Sequence, residues 1–139
     1  MLSLSHIVGD SMLESYAVEC ARHGSLRLKT VNYHREPPLA IDVVFSGVVA
    51  HHFQDVHQDS VIFDIEEMPA GDLFAQTRPE AGTYFQQFYY DPHIGPAGDL
   101  DAVGRFFQQH GINGYAIHSS CGLCGWVLAA SLAWVELSA

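Results

Sequence analysis

Positive charge is scarce in this chain: Lys and Arg together number 6 against 16 Asp and Glu, a formal charge of −10 over 139 residues. Such a surface repels a phosphate backbone and disfavours adhesion to anionic membranes, so neither nucleic acid nor a membrane is the expected partner. Cysteine is also scarce, and its count of 3 is odd, which argues against the paired framework of a secreted disulfide scaffold. The longest apolar run, Trp126 to Val135, falls far short of the roughly 20 residues that a membrane helix needs. The opening residues Met1-Leu2-Ser3-Leu4-Ser5-His6 lack a basic start, and Asp10 interrupts the apolar character before signal-peptide length. A cytoplasmic location is the expectation. The chain also lacks G-x-S-x-G, P-loop, G-x-G-x-x-G and H-E-x-x-H patterns, so no catalytic constellation is read and a non-enzyme is expected.

What is present is enough to fold. Apolar residues make up 48% and aromatics 12% of the chain, and a domain of this size buries about two-thirds of its unfolded surface. Residues 1–139 are therefore read as a single domain with no cofactor. Arg22, Arg27, Lys29 and Arg35 gather most of the basic charge between positions 22 and 35, leaving the rest more acidic than the total implies. An acidic field serves solubility, and it also steers encounter with a basic protein partner.

Patterning points to a sheet. Leu39, Ile41, Val43 and Phe45 share one parity, and Val61, Phe63 and Ile65 repeat it, with Asp42, Asp64 and Glu66 assigned to the opposite, wet face. Strands are also expected at Ser15–Cys20 and Leu26–Tyr33, the second with a bulge near Thr30, separated by a His23-Gly24-Ser25 turn. Arg35-Glu36-Pro37-Pro38 and Gln54–Ser60 read as loops, whereas Ser46-Gly47 either turns the chain or kinks one strand running to Phe53. A short helix is expected from Pro69 to Gln76, ended by Arg78-Pro79. Thr83–Tyr90 leans to helix, and Asp91–Gly98 reads as a loop.

The clearest helix runs from Asp99 to His110, with Asp99 as N-cap, an apolar stripe of Leu100, Val103, Phe106 and Phe107, and Gly111-Ile112 as a Schellman ending. Tyr115, Ile117 and Ser119, then Trp126, Leu128, Leu132 and Trp134, form two terminal strands around Ser120–Gly125. The order predicts an α+β fold: a mainly antiparallel sheet of about six strands with one or two helices packed on one face.

Candidate chemistry concentrates at Cys121-Gly122-Leu123-Cys124-Gly125. A C-x-x-C-G turn has the shape of a zinc knuckle, and His118 is the nearest third ligand, with Cys20 or the His51-His52 pair able to complete a set of four. A thioredoxin-type redox site wants the motif at the start of a helix, and a glycine-rich β-turn accounts for the same residues without chemistry. His51 and His52, with His57, Asp55 and Asp59 nearby, offer ligands or an acid/base pair, but adjacent strand residues face opposite ways. Glu66-Glu67 reads as a solvated strand end, and Ser119-Ser120 beside His118 shows no oxyanion loop or buried acid.

The stretches Leu39-Ala-Ile-Asp-Val-Val-Phe-Ser-Gly-Val48 and Val61-Ile-Phe-Asp-Ile-Glu-Glu67 resemble the "strand, Phe-x-Gly-Val, strand" core of small uncharacterised bacterial proteins. Some of these are grouped with immunity proteins of polymorphic toxin systems. Tyr115-Ala-Ile-His-Ser-Ser-Cys-Gly-Leu-Cys-Gly-Trp-Val127 looks like the hairpin that closes such domains, in which the cysteine positions need not be cysteine. The resemblance implies an α+β fold, no catalytic residues and a toxin-like partner. The leading expectation is a domain that binds another protein, neutralising a basic effector. A zinc or small catalytic centre on Cys121, Cys124 and His118 is the rival, and a homodimer through unpaired strand edges is the third expectation.

Overall fold

The computed structural model describes residues 2–21, 24–77 and 100–137. Six antiparallel strands make the body: β1 (Ser11–Glu19), β2 (Ser25–Asn32), β3 (Leu39–Gln54), β4 (Val61–Pro69), β5 (Asn113–Cys121) and β6 (Cys124–Leu137). Among the described residues three short helices accompany them: α1 (Ser5–Val8), α2 (Ala70–Gln76) and α3 (Leu100–Gln109). The fold is α+β, as the alternation of apolar and polar residues implies. The expected helix stop at Arg78-Pro79, helix at Thr83–Tyr90, loop at Asp91–Gly98, N-cap Asp99 and turn residue His23 lie outside the described residues.

The sheet closes on itself in the order β1-β2-β3-β6-β5-β4. Closure is uneven, because β1 meets β4 through Ser11↔Ile62 and Met12↔Val61 alone. Ile41, Val43 and Phe45 do point to one apolar side, and Leu39 packs at its margin. That side is covered by the rest of the barrel wall, with Leu26, Leu28, Ile62, Ile65, Tyr115, Ile117 and Val127, and by Leu4 and Val8 at α1, rather than by α2 and α3. Burying each such aliphatic or aromatic side chain contributes about 1.5–3 kcal/mol. Helices α2 and α3 cover a different surface, the outside of β4–β6, where Leu73, Phe74, Val103 and Phe107 meet Met68, Ala116, Trp126 and Leu128. Trp126 and Leu128 thus lie under the helices, whereas Leu132, of the same sequence parity, packs on the barrel interior.

Irregularities in the ladders explain where simple alternation misleads. In β4 the register shifts between Val61 and Ile62 and again between Ile62 and Asp64. Ile62 is consequently fully buried and Phe63 is 56% exposed, the reverse of the expected parity. The β2–β3 ladder runs unbroken from Ser25 to Asn32, so the expected bulge is not in β2. It sits across the ladder in β1, between Leu13 and Ser15, opposite Thr30 and Lys29. Thr30 keeps the inward parity of Leu26 and Leu28 because its hydroxyl donates to the Ile41 carbonyl at 2.9 Å. Ser46-Gly47 does not end a strand: β3 continues for 16 residues through Gly47 at φ 64.

Asp42 and Asp64 also depart from the expected wet face, being 7% and 9% exposed. Asp64 accepts hydrogen bonds from Ser3 Oγ at 2.9 Å and from the Leu4 amide at 3.1 Å. That carboxylate fixes the entry of α1, whose Leu4 and Val8 are fully buried in the barrel core. Asp42 is held by Arg27 Nη1 at 3.0 Å, the guanidinium itself remaining largely in water. Glu66, by contrast, is exposed as expected. The ending of α3 follows the sequence closely. Gly111 takes a left-handed φ of 66, its amide donates to Gln108 O at 3.2 Å, and the Ile112 amide donates to Phe107 O at 2.9 Å.

Candidate functional site

The bulge in β1 borders an open cleft. Ser11 and Met12 are tied to β4, and the Leu13 amide donates to Ser60 O at 2.9 Å. The extra residue Glu14 then turns the strand away, so among the described residues Ser15 to Glu19 pair with β2 on one side only. The polar loop 55–60 crosses the gap this leaves. Between the β1 edge and the loop lies a groove of about 650 Å³, lined by Leu13, Glu14, Ser15 and Tyr16 on one side and Val56, His57, Gln58 and Asp59 on the other.

The groove combines apolar and acidic character. Tyr16 is 42% and Val56 48% exposed, and the Tyr16 ring stands edge-on to Phe53 at 5.6 Å. The Glu14 carboxylate accepts from Tyr33 Oη at 2.7 Å and lies 3.9 Å from Lys29 Nζ. That hydrogen bond, foremost, pushes the Tyr33 phenol above its ordinary range. Asp59 in the cleft, Asp55 next to Val56 and Asp10 two residues before Met12 hold positive φ of 62, 57 and 61, a conformation costly for most residues and tolerated by Asp. The loop is anchored by Ser60, whose Oγ donates to His57 O at 2.9 Å and accepts the Leu123 amide at 3.0 Å.

The other end of that last bond belongs to the C-x-x-C turn. Beyond Ile117↔Gly125 the β5–β6 ladder stops, and from His118 to Cys121 β5 keeps only its pairing with β4. The turn thereby carries Leu123 into the barrel, where it is fully buried, and Ser119 Oγ donates to Leu123 O. Gly122 adopts φ 88, and a Cβ there would fall 2.1 Å from Ser60 Oγ. The hairpin's visible role is thus to plug the barrel with Leu123.

The thiols flank this plug. Cys121 is exposed with Sγ 3.5 Å from Asp59 O, and Cys124 is half-buried with Gln54 Nε2 donating to its Sγ at 3.6 Å. His118 is exposed and lies opposite Asp64 in the β4–β5 ladder. Cys20 is exposed just after β1. Among the described residues no three His, Cys, Asp or Glu side chains gather as a set to hold a metal ion.

His51 and His52 diverge as adjacent strand residues must. The His51 ring leans on Phe53 at 5.3 Å, and His52 stacks on Trp126 at 6.1 Å. Burial, and secondarily the neighbouring His52, lowers the His51 pKa. Tyr115 is buried against Phe45, and its phenol is pushed up by burial first and by Glu67 second. Neither Ser60 nor Ser119 directs its hydroxyl at a base, since both donate to carbonyls. Compared with protein-family models, with characterised proteins and with solved structures, the chain matches none.

Proposed function

We propose that this chain is a non-enzymatic binding domain that receives an extended, basic segment of a partner protein along the β1 edge, in the manner of an immunity protein neutralising a basic effector. The observation that carries this reading is the one-sided pairing of Ser15–Glu19 beside the groove. An unpaired strand offers main-chain donors and acceptors to an incoming strand, and pockets beside it read alternate side chains. Here the adjacent surface supplies Tyr16 and Val56 for apolar contact and Glu14 and Asp59 for cationic side chains. The formal charge of −10 adds long-range attraction for a basic partner.

The test is affinity capture from native lysate with the wild-type chain and with Glu14→Lys and Tyr16→Glu. A basic protein is expected on the wild type, released progressively as salt rises, and lost with either variant. A complex indifferent to salt and to both substitutions would place binding elsewhere.

A further inference from the structure

The barrel has a second open edge, of opposite character to the first. β6 pairs with β5 only from Gly125 to Ala129, while its partnership with β3 continues to Leu137. Among the described residues, 130–137 therefore have a strand neighbour on one side only; on the other, Asn113 Nδ2 donates to Ala130 O at 3.3 Å. Natural sheets guard such edges with lysine, proline, inward charges or a covering element. This edge reads Ala130-Ser-Leu-Ala-Trp-Val-Glu-Leu137, with Glu136 its one ionisable residue and no proline. Trp134 and Val135, on opposite faces of the strand, are 41% and 55% exposed.

We infer that this edge pairs antiparallel with the same edge of a second copy of the chain, joining two barrels through a continuous sheet. Charge selects the occupant. The β1 edge carries Glu14 and Glu19 and faces Asp59 across the groove, so two copies repel there and a basic partner is favoured. The β6 edge offers a basic partner one carboxylate, and with Glu136 its one charged side chain it sets little self-repulsion against a second copy on a chain of charge −10.

Symmetry agrees with the side chains. A twofold axis normal to the sheet preserves faces, so residues opposite one another have the same parity. Centring it on Trp134 sets the two indoles side by side, a favourable cross-strand pair. Val135 then meets Ala133 of the second copy. Glu136 falls opposite Leu132, so the twin carboxylates stand about 14 Å apart at roughly 3.4 Å per residue, beyond the screening length of about 8 Å at physiological salt.

The experiment is sedimentation velocity on the full untagged chain from low-micromolar to sub-millimolar concentration, paired with amide hydrogen exchange at both extremes. The expected result is a concentration-dependent rise to twice the monomer mass, with exchange slowing selectively in 130–137. Trp134→Lys sets two cations opposite each other and should weaken association at least about tenfold. Trp134→Phe should retain it, and Val135→Lys tests the same edge where Trp134→Lys fails to fold. A monomer at every concentration overturns the inference. So does a dimer that protects 14–19 instead, or a slowing of exchange in 130–137 that requires a different protein.

Discussion

Asp64 and Leu4 are joined by a hydrogen bond across the barrel wall, the Leu4 amide donating to Asp64 Oδ1 at 3.1 Å while Ser3 Oγ donates to the same carboxylate. This pair converts the opening residues of the chain into an internal plug. Hydrogen bonds to a charged acceptor contribute about 1.5–3 kcal/mol. Asp64→Ala should therefore lower the folding free energy by about 2 kcal/mol, and Asp64→Asn by less, since one acceptor oxygen survives. Urea denaturation measures both, and an unchanged midpoint for Asp64→Ala would remove the carboxylate from this role.

The C-x-x-C turn is expected to matter for stability through its middle residues. Leu123→Ala empties a fully buried position and should cost about 2–5 kcal/mol. Gly122→Ala combines a positive φ with a Cβ driven into Ser60, so a large destabilisation is expected there too. Thermal denaturation distinguishes this from a passive loop, in which both changes would be mild.

Replacing the flanking thiols should be nearly silent by comparison. Cys121→Ser and Cys124→Ser are expected to shift stability by no more than about 0.5 kcal/mol and to leave the metal content of untagged protein unchanged. Near-stoichiometric zinc that disappears with Cys124→Ser would establish the rival reading of a metal centre built with His118.

Acid should weaken the fold through His51. Its pKa in the folded state is lowered, so between that value and the ordinary histidine value of about 6.5 the unfolded chain binds more protons. Stability is full above the ordinary value, falls as pH drops through this window, and levels off below the folded pKa. His51→Gln should flatten that part of a melting-temperature profile. An unaltered profile would assign the acid sensitivity to other groups.

Much of the architecture was legible in the residues themselves, and the misses have a common cause. The Gly111-Ile112 ending of α3 is local chemistry, and it formed as read. Ile41, Val43 and Phe45 kept their shared face because β2–β3 has no bulge. Phe63 lies where alternation does not place it because register shifts in β4 change parity along the strand, and in β6 the parity changes between Ala129 and Leu132, both on the barrel interior. A bulge is a property of two strands together, so one strand's sequence does not announce it. Closure was equally hidden: an apolar face covered by helices and one covered by the far wall of a barrel have the same pattern. The groove was out of reach for the same reason, since Gln54–Ser60 signalled only polarity and Ser15–Cys20 only a strand. The thiols and histidines were conspicuous by type, yet the fold scatters them around a plug.

Because two residue pairs fasten β1 to β4, the barrel has a seam, and the chain segments meeting there are distant in sequence. Contacts of that kind are slow to form and quick to loosen. The β1–β2 hairpin can breathe away from β4 as a unit while the long β3–β6 ribbon stays intact. Capture of a strand at the β1 margin would then act like a clasp, stiffening the place where the wall is weakest.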